Sequence, residues 1–142
     1  MPHQVSVFAE NKPGKISRIT GILSDNGINI RAITISDQGD YGIIKLLLDK
    51  PQQGNDCLQA EGFASTLKDI VAIKIDDSPG GLHKAASLLS GENINVEDAY
   101  GFTIREKNLA VFVFQVADVT HTEKILQKAG FNIVSDNELY YI

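Results

Sequence analysis

Apolar and polar residues alternate at Val5, Val7 and Ala9, the period of a half-buried strand, and the run from Ile70 to Ile75 is β-branched and of strand length. Each is followed by a turn-like segment, Asn11-Lys12-Pro13-Gly14 or Asp77-Ser78-Pro79-Gly80. Helical spacing comes next, with Ile16, Ile19 and Leu23 in one place and Leu82, Ala85 and Leu89 in the other. These helices are expected to end near Gly27 and Asn93, residues tolerant of left-handed backbone. Second strands are expected over 28–36 and 95–104, each closed by a hairpin turn, at 37–40 and 105–108. The third strands, 43–48 and 109–114, are the most apolar, which predicts a central position in a sheet. The second helix of the later half has capping-box spacing at Thr120-His121-Thr122-Glu123. Its earlier counterpart, near Gly54 to Glu61, has few apolar residues and reads as short or irregular. Last strands start at Phe63 and Phe131.

The order repeats because the chain does. A shift of 66 residues lays Pro13-Gly14 on Pro79-Gly80, Leu23-Ser24 on Leu89-Ser90 and Ile28-Asn29-Ile30 on Ile94-Asn95-Val96 without a gap. After a slip of two residues Gly62-Phe63 meets Gly130-Phe131. Two domains follow, 1–69 and 70–142, each of order βαββαβ. That order gives the α+β, ferredoxin-like arrangement: an antiparallel four-stranded sheet with both helices on one face. Each copy then has one bare sheet face, and hiding apolar surface at about 25 cal/mol per Å² favours pairing of halves or of chains. A homodimer is the expected assembly.

Size and charge narrow the function. At 142 residues the chain has no room for separate cofactor and substrate domains. Thirteen basic against eighteen acidic residues leave a net charge of −5, the wrong sign for holding phosphate backbones or an anionic membrane. No apolar run approaches the roughly 18 residues of a membrane span, and Met1-Pro2-His3-Gln4 does not open an export signal, so no nucleic acid and no membrane partner are expected. A single cysteine, Cys57, excludes an intrachain disulfide, and a cytoplasmic protein is the simplest expectation. His3, His83 and His121 have no metal-ligand spacing. No Walker loop, GxGxxG or nucleophile elbow is present, so no cofactor and no catalytic residue are assigned.

Glu10-Asn11-Lys12-Pro13-Gly14-Lys15-Ile16, Leu23 and Asn26-Gly27-Ile28-Asn29-Ile30 together resemble the opening of an ACT domain, and the second half resembles it too. The resemblance covers essentially the whole chain as a tandem ACT protein. It implies a regulatory module that binds a free amino acid at interfaces between paired domains, near the first loop and the start of strand two. The positions it marks are Asn11, Lys12, Pro13, Gly14, Lys15 and Ile16 with Asn29 and Ile30. In the second copy they are Asp77, Ser78, Gly80, Gly81 and Leu82 with Asn95 and Val96.

Independent chemistry suits this loop to such a ligand. A helix start offers unpaired N–H groups to a carboxylate, and Gly14 or Gly80 lets it come close. Asn11 can donate and accept, whereas an ionised Asp77 only accepts, so the two sites are not equivalent. Residues 70–142 hold six basic and ten acidic residues, and Asp76, Asp77, Glu97 and Asp98 point to a ligand with a cationic or hydrogen-bond-donating side chain there, or equally to a charged edge that deters sheet aggregation. Capping and helix initiation explain the same loop residues, and turn formation the same asparagines. The leading expectation is a stand-alone, non-enzymatic amino-acid sensor that signals through its assembly or through a separate amino-acid-metabolism enzyme. The alternative is a ligand-free interaction or dimerisation module. An acylphosphatase-like hydrolase would need an arginine in the loop, and none stands at 10–15 or 76–81.

Overall fold

Alternation along the first strand, β1 (His3–Glu10), sends Val5 and Val7 into a core while Ser6 and Phe8 face away. A computed structural model describes residues 2–104 and 107–141, in two compact units, His3–Lys68 and Asp69–Tyr140. The first continues with α1 (Lys15–Asp25), β2 (Ile30–Asp37), β3 (Tyr41–Leu48), α2 (Pro51–Ala60) and β4 (Ala64–Asp69). The second runs β5 (Val71–Asp76), α3 (Gly81–Gly91), β6 (Asp98–Ile104), β7 (Leu109–Gln115), α4 (Val119–Lys128), β8 (Asn132–Ile133) and α5 (Asp136–Tyr141).

Sheet orders are β2-β3-β1-β4 and β6-β7-β5-β8, so the apolar third strands are central as their composition requires. β1 and β3 run antiparallel with Val5 opposite Leu46 and Glu10 opposite Tyr41; in the second unit Val71 faces Phe114 and Asp76 faces Leu109. Ile19 and Leu23 of α1 seal the first core against Val5, Val7 and Leu46. Ala85 and Leu89 of α3, 66 residues later, seal the second against Val71, Ile73 and Phe114. The ferredoxin-like fold is thus built twice.

The second strands start later than their composition suggests, at Ile30 and Asp98, because the helix ends consume the preceding residues. Gly27 (φ 67°) and Asn93 (φ 57°) take left-handed backbone, and Ile28 N and Ile94 N donate back to Leu23 O (2.9 Å) and Leu89 O (2.8 Å). These bonds satisfy carbonyls at the helix ends. Of the 105–108 turn, Arg105 and Glu106 lie outside the described residues.

α2 is a regular helix of ten residues, not a short or irregular one. Pro51 starts it, and its buried face is made by Gly54, Asn55 and Leu58, so backbone and an amide pack where apolar side chains were sought. Asn55 Oδ1 accepts from Ser65 Oγ at 2.7 Å, which makes that burial tolerable. α4 is capped by Asp118, whose Oδ1 accepts from His121 N at 3.0 Å, and the Thr120–Glu123 box is not used. Thr122 is instead buried, its hydroxyl donating to Asp118 O at 2.8 Å.

Neither outer sheet face is wholly bare. Gln4 and Leu47 in the first unit, and Ala72, Val111 and Val113 in the second, are fully buried. β8 is only two residues long, and the chain then forms α5, whose Glu138 bonds Lys74 on the face of β5 turned away from Ile73 and Ile75. The helix carries its own signal, the capping-box spacing Ser135-Asp-Asn-Glu138, and Glu138 N donates to Ser135 Oγ at 3.3 Å.

Candidate functional site

The β1–α1 loop is fixed from both sides. Asn11 N donates to Asp40 O (2.8 Å), and Asn11 Nδ2 donates to Asp37 Oδ1 (3.0 Å) and Gly39 O (3.3 Å), tying the loop to the β2–β3 turn. Both amide hydrogens are thereby engaged, and Oδ1 is left to accept. Lys12 Nζ lies 2.6 Å from Glu10 Oε2, and this bond and charge hold the Glu10 carboxyl below its ordinary value and the Lys12 amine above its own. Pro13 leads to Gly14 at φ 91°, where a Cβ would touch nothing within 4 Å, so conformation rather than space calls for glycine.

No side chain caps α1 and no acidic residue stands in its first turn. Lys15 N donates to Lys12 O (3.3 Å) and Arg18 N to Gly14 O (2.9 Å), which leaves the Ile16 and Ser17 amides, among the described residues, as open donors at the positive end of the helix. α3 opens in the same way. Gly80 has φ 86°, Gly81 N donates to Ser78 O (3.1 Å) and Lys84 N to Gly80 O (3.1 Å), leaving Leu82 and His83 open. Asp77, the counterpart of Asn11, is anchored by its backbone N to Asn108 O at 2.9 Å.

Gly81 differs from its counterpart Lys15. A Cβ there would sit 2.5 Å from Asp76 O, backbone that cannot step aside cheaply, whereas one at Gly21 of α1 would meet nothing within 4 Å. Gly21→Ala is therefore expected to stabilise by about 1 kcal/mol through helix propensity. Gly81→Ala is expected to destabilise by about 1–3 kcal/mol, because the new Cβ meets backbone at the first position of its helix. Urea midpoints of the two variants check the opposite signs.

The strand-two residues lie elsewhere. Asn29 is exposed at the far end of α1, an 11-residue helix and so about 16 Å from the loop. Its backbone pairs with Asp49, N to Oδ1 at 2.9 Å and O from Asp49 N at 3.1 Å, beside an open depression of about 380 Å³ lined by Thr20, Ser24 and 27–30. Ile30 and Val96 pack on the cores, while Asn95 is exposed. Within the first unit, then, the structure gathers Asn11 to Ile16 but does not bring Asn29 to them. It also adds a cleft of about 230 Å³ that sequence reasoning missed, where Lys15 and Arg18 lie over Phe63, Nζ at 5.9 Å and Cζ at 5.2 Å from the ring centroid. Its signal was the matched pair Gly62-Phe63 and Gly130-Phe131, read above only as evidence of duplication.

A family model described as an ACT domain pair matches residues 1–142. The chain belongs to the ACT domain-pair family. Curated relatives include the small subunit of acetolactate synthase isozyme 3 from Salmonella typhimurium, 25% identical and covering 89% of this chain and 75% of that one. The acetolactate synthase small subunit of Buchnera aphidicola subsp. Schizaphis graminum is 27% identical over 89% and 77%. Among solved structures, a protein from Bacteroides thetaiotaomicron superposes with a TM-score of 0.92 at 28% identity, over 99% of this chain and 96% of that one. The regulatory subunit of aspartate kinase from Thermus thermophilus shares the fold, with a TM-score of 0.67 at 17% identity over 91% and 93%. Two ACT units in one chain account for the duplication, and no helix of the described residues is long and apolar enough to cross a membrane.

Proposed function

We propose that this ACT pair is a non-catalytic regulatory subunit that binds a free amino acid at the β1–α1 loop where two copies of the first unit meet, and passes occupancy to a separate catalytic chain of amino-acid metabolism. The observation that carries the reading is the uncapped start of α1: a left-handed Gly14, open Ile16 and Ser17 amides, and no acid in the first turn. A carboxylate answers that arrangement, and the Asn11 oxygen answers an ammonium. The acetolactate synthase small subunits among the relatives support the regulatory part and the enzyme partner.

Pairing supplies the residue that one unit cannot. Asn11 and Asn29 sit at opposite ends of α1, so a two-fold axis beside that helix sets the start of one α1 against the end of the other. β2 is one of the two edge strands of its sheet and exposes Ile33 (41%) and Ile35 (56%), the surface such pairing would hide. Occupancy at such an interface stabilises the pair by RT ln(1 + [L]/Kd), about 2.7 kcal/mol at a hundredfold excess.

The test is thermal unfolding with each of the twenty amino acids. One or a few are expected to raise Tm by roughly 8 °C at saturating concentration, and Asn11→Ala is expected to abolish the rise. Engagement of both Asn11 amide hydrogens by the β2–β3 turn favours the alternative, a ligand-free dimerisation module, for which all twenty would leave Tm unchanged.

A further inference from the structure

The cleft between the start of α1 and the start of β4 has a composition that loop capping and core packing do not explain. One wall is Phe8 stacked on Tyr41, centroids 4.9 Å apart with planes within 9°, although both rings are about half exposed, at 50% and 46%. The opposite wall is Phe63 beneath its two cations. The two carboxylates on the rim are already answered, Glu10 by Lys12 at 2.6 Å and Glu61 by Arg18 at 3.8 Å. Partly buried Lys15 forms no salt bridge among the described residues and only adds to the field that lowers the Glu10 carboxyl, so Lys12, Lys15 and Arg18 against Glu10 and Glu61 leave the cleft and its rim one cation in excess. Aromatic walls attract a flat apolar body, and one cation in excess at their edge attracts one negative charge.

Size restricts the guest. An apolar cavity of about 150 Å³ accepts benzene, so about 230 Å³ has room for a ring and one further small group. We propose that this cleft is a second ligand site, for a small free monocarboxylate with a planar aromatic body, its ring against Phe8, Tyr41 and Phe63 and its carboxylate on Lys15. The cleft shares Lys15 with the positions the resemblance marks, but none of the groups the amino-acid reading uses, Asn11, Ile16, Ser17 and Asn29, lines it.

The second unit supplies an internal control. A cleft of about 240 Å³ stands at the same place and keeps the phenylalanine and the helix cation, as Phe131 and Lys84. Leu109 replaces Tyr41, Gly81 replaces Lys15, and Lys74 replaces Phe8 and is bound to Glu138. The Gly81 contact with Asp76 O forbids a side chain where the ammonium would be needed. The same fold thus presents the cleft twice and furnishes it once.

The test is a nitrogen–proton correlation titration of the full chain with sodium benzoate. Saturable shifts are expected at the amides of Ala9, Gly62 and Phe63, with half-saturation near about 1 mM, and none at Ile75, Gly130 and Phe131. Lys15→Ala is expected to weaken binding about tenfold, neutral benzamide to bind about tenfold more weakly than benzoate, and Asn11→Ala to change nothing. Non-saturating shifts, equal shifts in both clefts, or equal affinity for benzoate and benzamide would each overturn the site, whether or not the lysine variant folds. Amino-acid stabilisation lost in Asn11→Ala with benzoate binding intact keeps the two sites apart, and absence of benzoate binding with amino-acid stabilisation intact overturns only the cleft.

Discussion

Leu23→Ala is expected to remove about 3–5 kcal/mol of stability, and Leu89→Ala a similar amount. Both leucines are fully buried on the sheet-facing side of the first helix of their unit, and they stand at equivalent positions in the repeat. Truncation loses the transfer energy of the removed carbons and leaves a cavity that a close-packed interior refills only in part. Against a typical total of about 5–15 kcal/mol, either change is large, and urea denaturation of the two variants should give matching losses if both units use the same packing scheme. Ile35→Ala is the contrast, because Ile35 is 56% exposed on the β2 edge. In dilute monomer it is expected to stay within about 0.5 kcal/mol of the parent. A loss as large as that at Leu23 would mean that this edge is buried rather than free, and would remove the surface assigned to pairing.

Legibility from sequence followed the physics of each signal. Elements whose burial is made by apolar side chains at a clear period were readable, which is why β1, α1, β3 and β7 stand where alternation and helical spacing put them. The left-handed helix ends at Gly27 and Asn93 were readable for a different reason, since few residues accept that backbone. α2 was obscured because Gly54 and Asn55 fill its buried face, and hydrophobic pattern cannot register a glycine that matters by being small. The late starts of β2 and β6 were hidden by backbone bonds at the helix ends, and α5 by its six-residue length, too short for any period to emerge. The first loop was legible because Pro-Gly before a helix has few structural outcomes. The aromatic cleft was not, because Phe8, Tyr41 and Phe63 come from three separated strands or strand starts, and only the sheet register brings them together. Asn29 marks the limit of both approaches: the sequence resemblance ties it to Asn11, one unit sets it at the other end of α1, and the proposed second copy would reconcile the two.

That reconciliation predicts complementation between damaged chains. Asn11→Ala and Asn29→Ala are each expected to abolish amino-acid stabilisation when assayed alone, since every site in either homodimer lacks one partner. Mixed and allowed to exchange subunits, they form heterodimers in which one interface site carries both alanines and the other carries both native asparagines. Random exchange makes half of the dimers mixed, so about one quarter of all sites regain binding. Isothermal titration of the exchanged mixture is expected to recover parental affinity at about a quarter of the parental stoichiometry. The Asn11→Ala, Asn29→Ala double variant mixed with itself is expected to recover nothing. If each unit instead completed its own site, no mixture would recover anything, and the 16 Å span of α1 would have to be bridged by a ligand larger than an amino acid. Exposure of both asparagines makes misfolding a poor explanation for loss of binding, and recovery on mixing would exclude it, because two misfolded chains do not repair each other.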